Sequence, residues 1–224
     1  MKGLFTLTLV LFLGLAFAQD PNEKLTQDPK AKVILDQVTA KTKGYQSMKA
    51  TFLYTLENQQ KNTKETKKGT IYIKGQKYKI FFHGLNTEVF FDGKVLATYM
   101  ITDNEVTYSE PDLNAENTLT PNNIFTFYEK GFFYRRLKDE VIGSKTLNVI
   151  ELVPMEREKK GFSKIKLKID KAKQVIASVK SFGKNGVHFT IDVNDFTPNV
   201  KVTDALFTFD EKSYPDIEVI DNRN

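Results

Sequence analysis

Residues 70–100 read Thr-Ile-Tyr-Ile-Lys-Gly-Gln-Lys-Tyr-Lys-Ile-Phe-Phe-His-Gly-Leu-Asn-Thr-Glu-Val-Phe-Phe-Asp-Gly-Lys-Val-Leu-Ala-Thr-Tyr-Met. Four short runs, Thr70–Lys74, Lys77–Phe82, Thr87–Phe91 and Val95–Met100, are separated by Gly75-Gln76, His83-Gly84 and Asp92-Gly93. Bulky residues recur at alternate positions, which is the period of a β-strand. Asp-Gly between two such runs marks a hairpin, because both residues of its tight turn must tolerate positive φ. The stretch therefore reads as an antiparallel meander.

The pattern extends in both directions. Upstream, Ala50, Phe52, Tyr54 and Leu56 alternate with Thr51, Leu53 and Thr55, giving a strand with one bulky face. Before it, Asp28-Pro29 reads as an N-cap and a first-turn proline. Val33, Ile34, Val38 and Lys41 follow at helical spacing and Gly44 marks a stop, so one helix is expected over about 29–44. Polar Asn58–Lys68 reads as a loop or hairpin end. Downstream come a strand at Glu105–Ser109, a polar linker at Glu110–Leu119, and a second helix start at Thr120-Pro121 that Gly131 ends. Five more strands are expected at Glu140–Ile142, Leu147–Val153, Ser163–Ile169, Val175–Ser181 and Val187–Val193, the last two joined through Asn185-Gly186. Phe207-Thr208-Phe209 reads as a final short strand, and Tyr214-Pro215 leads into a polar tail.

Helices do not alternate with these strands, which argues against a parallel α/β sheet. The expected fold is mainly β with α: a single curved antiparallel sheet of about eleven strands. It forms an open or incomplete barrel, with short helices across the opening. No internal repeat or domain boundary is visible, so residues 19–224 are expected to form one domain.

The first 18 residues read as an export signal. Met1-Lys2 gives a positive start, Leu4–Phe17 is nearly all apolar, and Ala16-Phe17-Ala18 offers the small-x-small site before Gln19. That apolar run is shorter than the roughly 20 residues a membrane-spanning helix needs. The expectation is a cleaved signal and an exported, soluble mature protein.

The 224 residues include 33 Lys+Arg, 28 Asp+Glu, two His, no Cys and no Trp. Without Cys there is no disulfide, thiolate nucleophile or zinc–thiolate site, and no lipid-modified N-terminal Cys. The basic residues are scattered and often alternate with apolar ones, as in Lys164–Ile169, which fits a solvated surface and not a nucleic-acid groove. No phosphate loop, Gly-x-Ser-x-Gly elbow or His-Glu-x-x-His is present. His83 reads as a turn residue and His188 as an ordinary exposed or hydrogen-bonded strand residue. No enzyme activity and no cofactor are expected, although a carboxylate pair across strands is not visible to this reading.

The surplus is aromatic: 18 Phe and 9 Tyr, with Phe81-Phe82, Phe90-Phe91 and Phe132-Phe133-Tyr134 as adjacent pairs or triples. Adjacent strand residues point to opposite faces, so both faces need cover. A curved sheet of this size encloses more volume than its own side chains readily fill, which suits a hydrophobic guest.

Several motifs in order resemble the LolA family of periplasmic lipoprotein carriers, in its flavobacterial-type branch. They are the 29–44 helix, Met48-Lys49-Ala50-Thr51-Phe52, Gly69-Thr70-Ile71-Tyr72-Ile73-Lys74 with Lys77-Tyr78-Lys79, and Asp92-Gly93-Lys94-x-Leu96 with Tyr99. Thr120-Pro121 before Ile124, Phe207-Thr208-Phe209 and the ending Pro215–Arg223 complete the set. Two departures stand out. Lys74-Gly75-Gln76 replaces the family's Lys-Arg-Pro, so the arginine linked to lid closure has no counterpart. Tyr72, Ile80 and Ala97 occupy positions of tryptophan in other members.

The resemblance implies a monomeric periplasmic chaperone that shelters lipoprotein acyl chains between the inner and outer membranes. An inner-membrane lipoprotein-releasing ABC transporter complex would load it and an outer-membrane acceptor would empty it. The implied lining is Phe52, Tyr54 and Leu56 from the first strand, with Ile71, Ile73, Tyr78, Ile80, Phe82, Phe90 and Tyr99 from the meander. Ile124, Phe125, Phe127 and Tyr128 would come from the covering helix. Lys77 and Lys79 read as a solvated edge available to acidic groups on the loading complex. A secreted barrel for a free lipid, a hydrolase and a sensor module with a filled core remain as alternatives.

Overall fold

The computed structural model describes residues 27–111, 120–121, 123–124 and 126–223. The expected export signal and most of the polar linker lie outside the described residues.

One α-helix, α1 (Pro29–Lys43), opens the described chain. The Asp28 carboxylate accepts from the Lys30 and Ala31 amides, and the Gly44 amide closes the far end on Lys41 and Thr42 carbonyls. Ala31, Leu35 and Val38 form the buried stripe. Val33, expected on that stripe, is 56% exposed, because it follows Ala31 by only two residues and lies round the helix from it.

Among the described residues thirteen strands follow, two more than the roughly eleven expected. They are β1 (Met48–Asn58), β2 (Thr63–Lys74), β3 (Lys77–His83), β4 (Thr87–Phe91), β5 (Leu96–Met100) and β6 (Glu105–Ser109). After these come β7 (Phe132–Arg136), β8 (Glu140–Ile142), β9 (Lys145–Pro154), β10 (Phe162–Asp170), β11 (Val175–Gly183), β12 (Val187–Pro198) and β13 (Glu218–Asp221). They form one sheet in the order β13-β6-β5-β4-β3-β2-β1-β12-β11-β10-β9-β7, with β8 also on β9. The order does not return on itself, so the barrel is open.

Three local readings differ from the structure. Asn58–Lys68 is mostly strand, because β1 and β2 pair as far as Asn58↔Thr63 and a Thr55–Thr66 hydroxyl contact of 3.1 Å bridges them. The 120–131 segment forms turns and a single 3₁₀ turn at Phe127–Glu129, not a regular helix. Phe207-Thr208-Phe209 is not a strand, since Asp204–Phe207 winds into a 3₁₀ turn. The last strand is instead β13, which runs parallel to β6 and covers its edge, the one parallel pair in an otherwise antiparallel sheet.

The pleat and registers sort the side chains onto two faces. Phe52 and Tyr54 share a face with Ile191 and Val193 of β12 and, through Val179, with Leu167 and Ile150. On that concave face Ala31, Leu35 and Val38 of α1 pack against Ile150, Leu152, Ile165, Leu167 and Ile169. The Asp28 amide donates to the Tyr134 carbonyl and its carboxylate accepts from the Arg136 amide, which ties the helix start to β7. On the convex face, Phe209, Tyr214 and Ile217 cover Phe90, Ala97, Tyr99, Val106 and Tyr108.

Candidate lipid-binding hollow

α1 covers only the β7–β11 half of the concave face. Beyond its C-terminal turn, the faces of β1, β2, β3 and β12 surround a hollow of about 220 Å³. Its floor is Met48, Ala50, Phe52 and Tyr54 of β1 beside Ile71 and Ile73 of β2. Ile80 and Phe82 form one wall, and Ile191, Val193 and Phe196 the other. Thr120, Pro121 and Ile124 reach over it, while Thr42, Val175 and Ile176 close it on the helix side. Most of these apolar side chains are only half-buried, although they face inward. The hollow exceeds the roughly 150 Å³ apolar cavity that accepts benzene, and falls short of the roughly 300–1,000 Å³ of drug-sized pockets.

Local sequence explains the shape. Gly69 of β2 faces Phe52 across the β1–β2 register, and a Cβ built on Gly69 would lie 2.3 Å from the Phe52 ring tip. The missing side chain lets that ring lie over the backbone, where it meets Phe82 edge-on at 5.9 Å between centroids. A bulge at Thr51/Phe52 in the β1–β12 register keeps both Val193 and Phe196 on the hollow side.

Of the residues that the sequence pointed to, the structure brings Phe52, Tyr54, Ile71, Ile73, Ile80, Phe82 and Ile124 together around the hollow. Leu56 shares the face but lies further along β1, beside Phe189 and 36% exposed. Tyr78 also shares it, packed with Ile73 and Phe91 just beyond the lining. Phe90 and Tyr99 are on the opposite, convex face, because Phe91 and Val89 take the inward positions against Tyr78 and Ile80. Phe127 and Tyr128 belong to the packed core under α1, where the Tyr128 hydroxyl meets Thr39 Oγ1 at 3.0 Å. Phe125 lies outside the described residues.

Polar chemistry in the hollow is sparse. Burial pushes the Tyr54 phenol up, and the Tyr78 phenol likewise. Tyr128 is pushed up to about 12 by burial against an opposing Thr39 hydrogen bond. None of these phenols is poised to exchange a proton near neutral pH. No group of three or more His, Asp or Glu suited to a metal occurs among the described residues. Lys77 and Lys79 are engaged within the chain, Lys77 with Asp204 at 2.9 Å and Lys79 with Glu88 at 3.1 Å. His83 ends β3, with Nε2 3.0 Å from Thr70 Oγ1. His188 is buried on the convex face against Phe182, and its Nδ1 has no partner among the described residues, contrary to the sequence reading.

The family model for outer membrane lipoprotein carrier protein LolA matches residues 43–210. The chain belongs to the LolA family. Its match takes in every β-strand except β13, and with them the whole floor of the hollow. Comparison with the curated proteins finds no match. Among solved structures, an uncharacterized conserved protein from Thermus thermophilus superposes with a TM-score of 0.55 at 15% identity, over 86% of this chain and 99% of that one. MucB in the Pseudomonas aeruginosa MucA/MucB complex gives 0.50 at 12% identity, over 82% of this LolA-family chain and 62% of the other. At such identities these structures share the fold alone.

Sequence reasoning missed Met48, Ala50, Ile191, Val193 and Phe196. Val187, Phe189, Ile191 and Val193 alternate plainly, but no local pattern indicates that β12, 129 residues after β1 by their pairing of Asn58 with Val187, is its neighbour.

Proposed function

We propose that this protein carries lipoproteins across the periplasm from the inner to the outer membrane, with their acyl chains in the hollow. The observation that carries the reading is an inward-facing apolar lining left half-buried in a member of a lipoprotein-carrier family. Sheltering alkyl chain from water contributes about 0.8 kcal/mol per CH₂. A sixteen-carbon chain fully enclosed would gain on the order of 10 kcal/mol, and three would be held nearly irreversibly. A hollow of about 220 Å³ encloses part of one chain, so exchange stays feasible. With no nucleotide loop in the sequence, energy for loading would come from an inner-membrane ATP-driven complex, and an outer-membrane acceptor would take the cargo.

Depletion in cells tests the reading. The expected result is outer-membrane lipoproteins stranded at the inner membrane, with rescue by the unaltered chain and none by Ile80→Glu. Normal lipoprotein sorting after depletion overturns it. Apolar-dye binding to purified protein tests the hollow separately, because Ile80→Glu and Phe52→Glu should each abolish it.

A further inference from the structure

Charged side chains of this sheet are distributed with one informative exception. In the described strands the basic residues point to the convex face, except Arg136 and Lys67. Arg136 is engaged, with Nη2 at 2.8 Å from Asp139 and 3.4 Å from the Asn148 side chain. Lys67 is different. It lies on the face of β2 that carries Gly69, Ile71 and Ile73, with no bulge in β2 to change the alternation. Its register partner on β1 is Tyr54, a lining residue. Directly opposed Cβ atoms are about 4.5–5.5 Å apart, so the Lys67 stem starts at the rim of the hollow.

Lys67 is half-buried and makes no ion pair among the described residues. Its neighbours on the overhanging strand serve other ends. Lys64 reaches Glu57 at 3.4 Å on the convex face, and Lys68 shares that face. Glu65, next outward on the concave face, is exposed and makes no ion pair with Lys67. The Tyr54 hydroxyl also makes no hydrogen bond among the described residues, and its phenol is partly desolvated. Lys67 and Tyr54, neither with a polar partner for its side chain among the described residues, therefore start side by side at one end of an oily trough, the Tyr54 ring stacked on Phe189.

That pairing is the complement of an amphiphile with an apolar tail and an anionic head. The acyl chains of a lipoprotein are joined through neutral ester and amide groups and leave an ammonium without a counter-charge. We propose that the hollow also binds a free single-chain anionic amphiphile, its carboxylate or phosphate head held by Lys67 and Tyr54 and its tail lying over Phe52 and Ile71. This rests on the hollow accepting alkyl chains, as proposed above, and adds the head-group chemistry.

The test displaces a bound apolar dye from the purified protein with dodecanoic acid, dodecyl phosphate and neutral dodecanol, at pH 8 and low salt. One or both anions should displace the dye at roughly three- to tenfold lower concentration than the alcohol, the range of a partly screened ion pair with one added hydrogen bond. Preference for one anion supports the proposal and identifies the head as carboxylate or phosphate. Lys67→Ala should bring the anions to the level of the alcohol, Lys67→Arg should retain the preference, and raised salt should erode it. Equal displacement by all three ligands in the unaltered protein, or an anion preference that survives Lys67→Ala, overturns the head-group assignment and leaves the hollow intact. If the dye itself does not bind, the apolar hollow is refuted as well.

Discussion

Gly69→Ala is the smallest change that should disturb the hollow, and its consequence follows from the geometry around Phe52. No positive φ is involved, so in an open site the alanine would stabilise by about 0.4–1 kcal/mol through a less flexible unfolded chain. Here the new methyl carbon would sit 2.3 Å from Phe52 Cζ and 2.8 and 2.9 Å from the two Cε atoms, well inside contact distance. The Phe52 ring must swing away and lose its edge-on contact with Phe82. Overpacking of this kind costs about 1–3 kcal/mol, leaving a net loss of about 1–2 kcal/mol. For a domain of this size that corresponds to a Tm lower by roughly 2–8 °C. The free volume beside the ring is the hollow, so the displaced ring should also lower dye capacity. Thermal melts and dye titrations would be read for Gly69→Ala, Phe52→Leu and the double variant. Because leucine removes the ring tip, Gly69→Ala should cost little or nothing in the Phe52→Leu background, a coupling of about 1–2 kcal/mol. If Gly69→Ala costs the same in both backgrounds, or nothing in either, the packing of that ring over the glycine does not shape the hollow.

Further outcomes follow from the same geometry. Asp28→Ala removes an N-cap and the acceptor for the Arg136 amide, and should cost about 1–2 kcal/mol in chemical denaturation. The Asp28 carboxyl is lowered chiefly by the Arg136 amide against some burial; for Glu151 burial pushes up, but Lys164 and Arg135 outweigh it. Their folded pKa values therefore lie below the unfolded ones, so their stabilisation is full above about pH 5 and is lost as pH falls through the folded values. Acid titration of Tm should show that loss, diminished in Asp28→Ala. Tyr99→Leu should lower Tm yet leave dye affinity unchanged, since Tyr99 packs on Phe209 and Tyr214 on the convex face; a change in dye affinity would put Tyr99 back at the hollow. In a series of straight-chain alcohols, affinity should rise by about 0.8 kcal/mol per CH₂ and then level off once the hollow is filled, and a rise that continues through sixteen carbons would mean that the cover moves.

Turn chemistry was readable in the sequence because it is local. Asp92 accepts from the Lys94 and Val95 amides, and Gly93 and Gly186 take φ +103° and +76°, although Asp92 and Asn185 keep negative φ because these loops are longer than two-residue turns. Asp28-Pro29 opened its helix for equally local reasons. Facing was only partly readable. Phe90-Phe91 places one ring on each face, and which of them is interior depends on Phe209 and Tyr214, more than a hundred residues away. Alternation therefore gave the right partition of β3, where Ile80 and Phe82 share the hollow, and the wrong one for β4 and β5. Phe127 and Tyr128 followed an apolar signal that was real, but it served the core beneath α1. β13 had no signal of its own: four residues became a strand because the exposed edge of β6 was there to pair with.

The two covered faces explain why the hollow stays open. The α1 stripe of Ala31, Leu35 and Val38 fills the β7–β11 half of the concave face to near-complete burial. The segment from 204 to 217 fills the convex face behind β4–β6 to a similar degree. Both covers are held in place: α1 by Asp28 on β7, and the C-terminal segment by Asp204 on Lys74 and Lys77 and by the Tyr108 hydroxyl on Glu211. Of the two, only α1 touches the hollow over β1–β3 and β12, and only with Thr42 at its edge. Among the described residues, the turn at Thr120, Pro121 and Ile124 lies above that face, with the Thr120 amide donating to the Asn123 side chain and the Asn123 amide to the Thr120 carbonyl. A face that lacked cover by accident would be expected to carry polar side chains, as the charged convex side of β10 does. This one carries isoleucine, valine and phenylalanine instead. Its sequence is that of an interior, which supports the apolar guest proposed above.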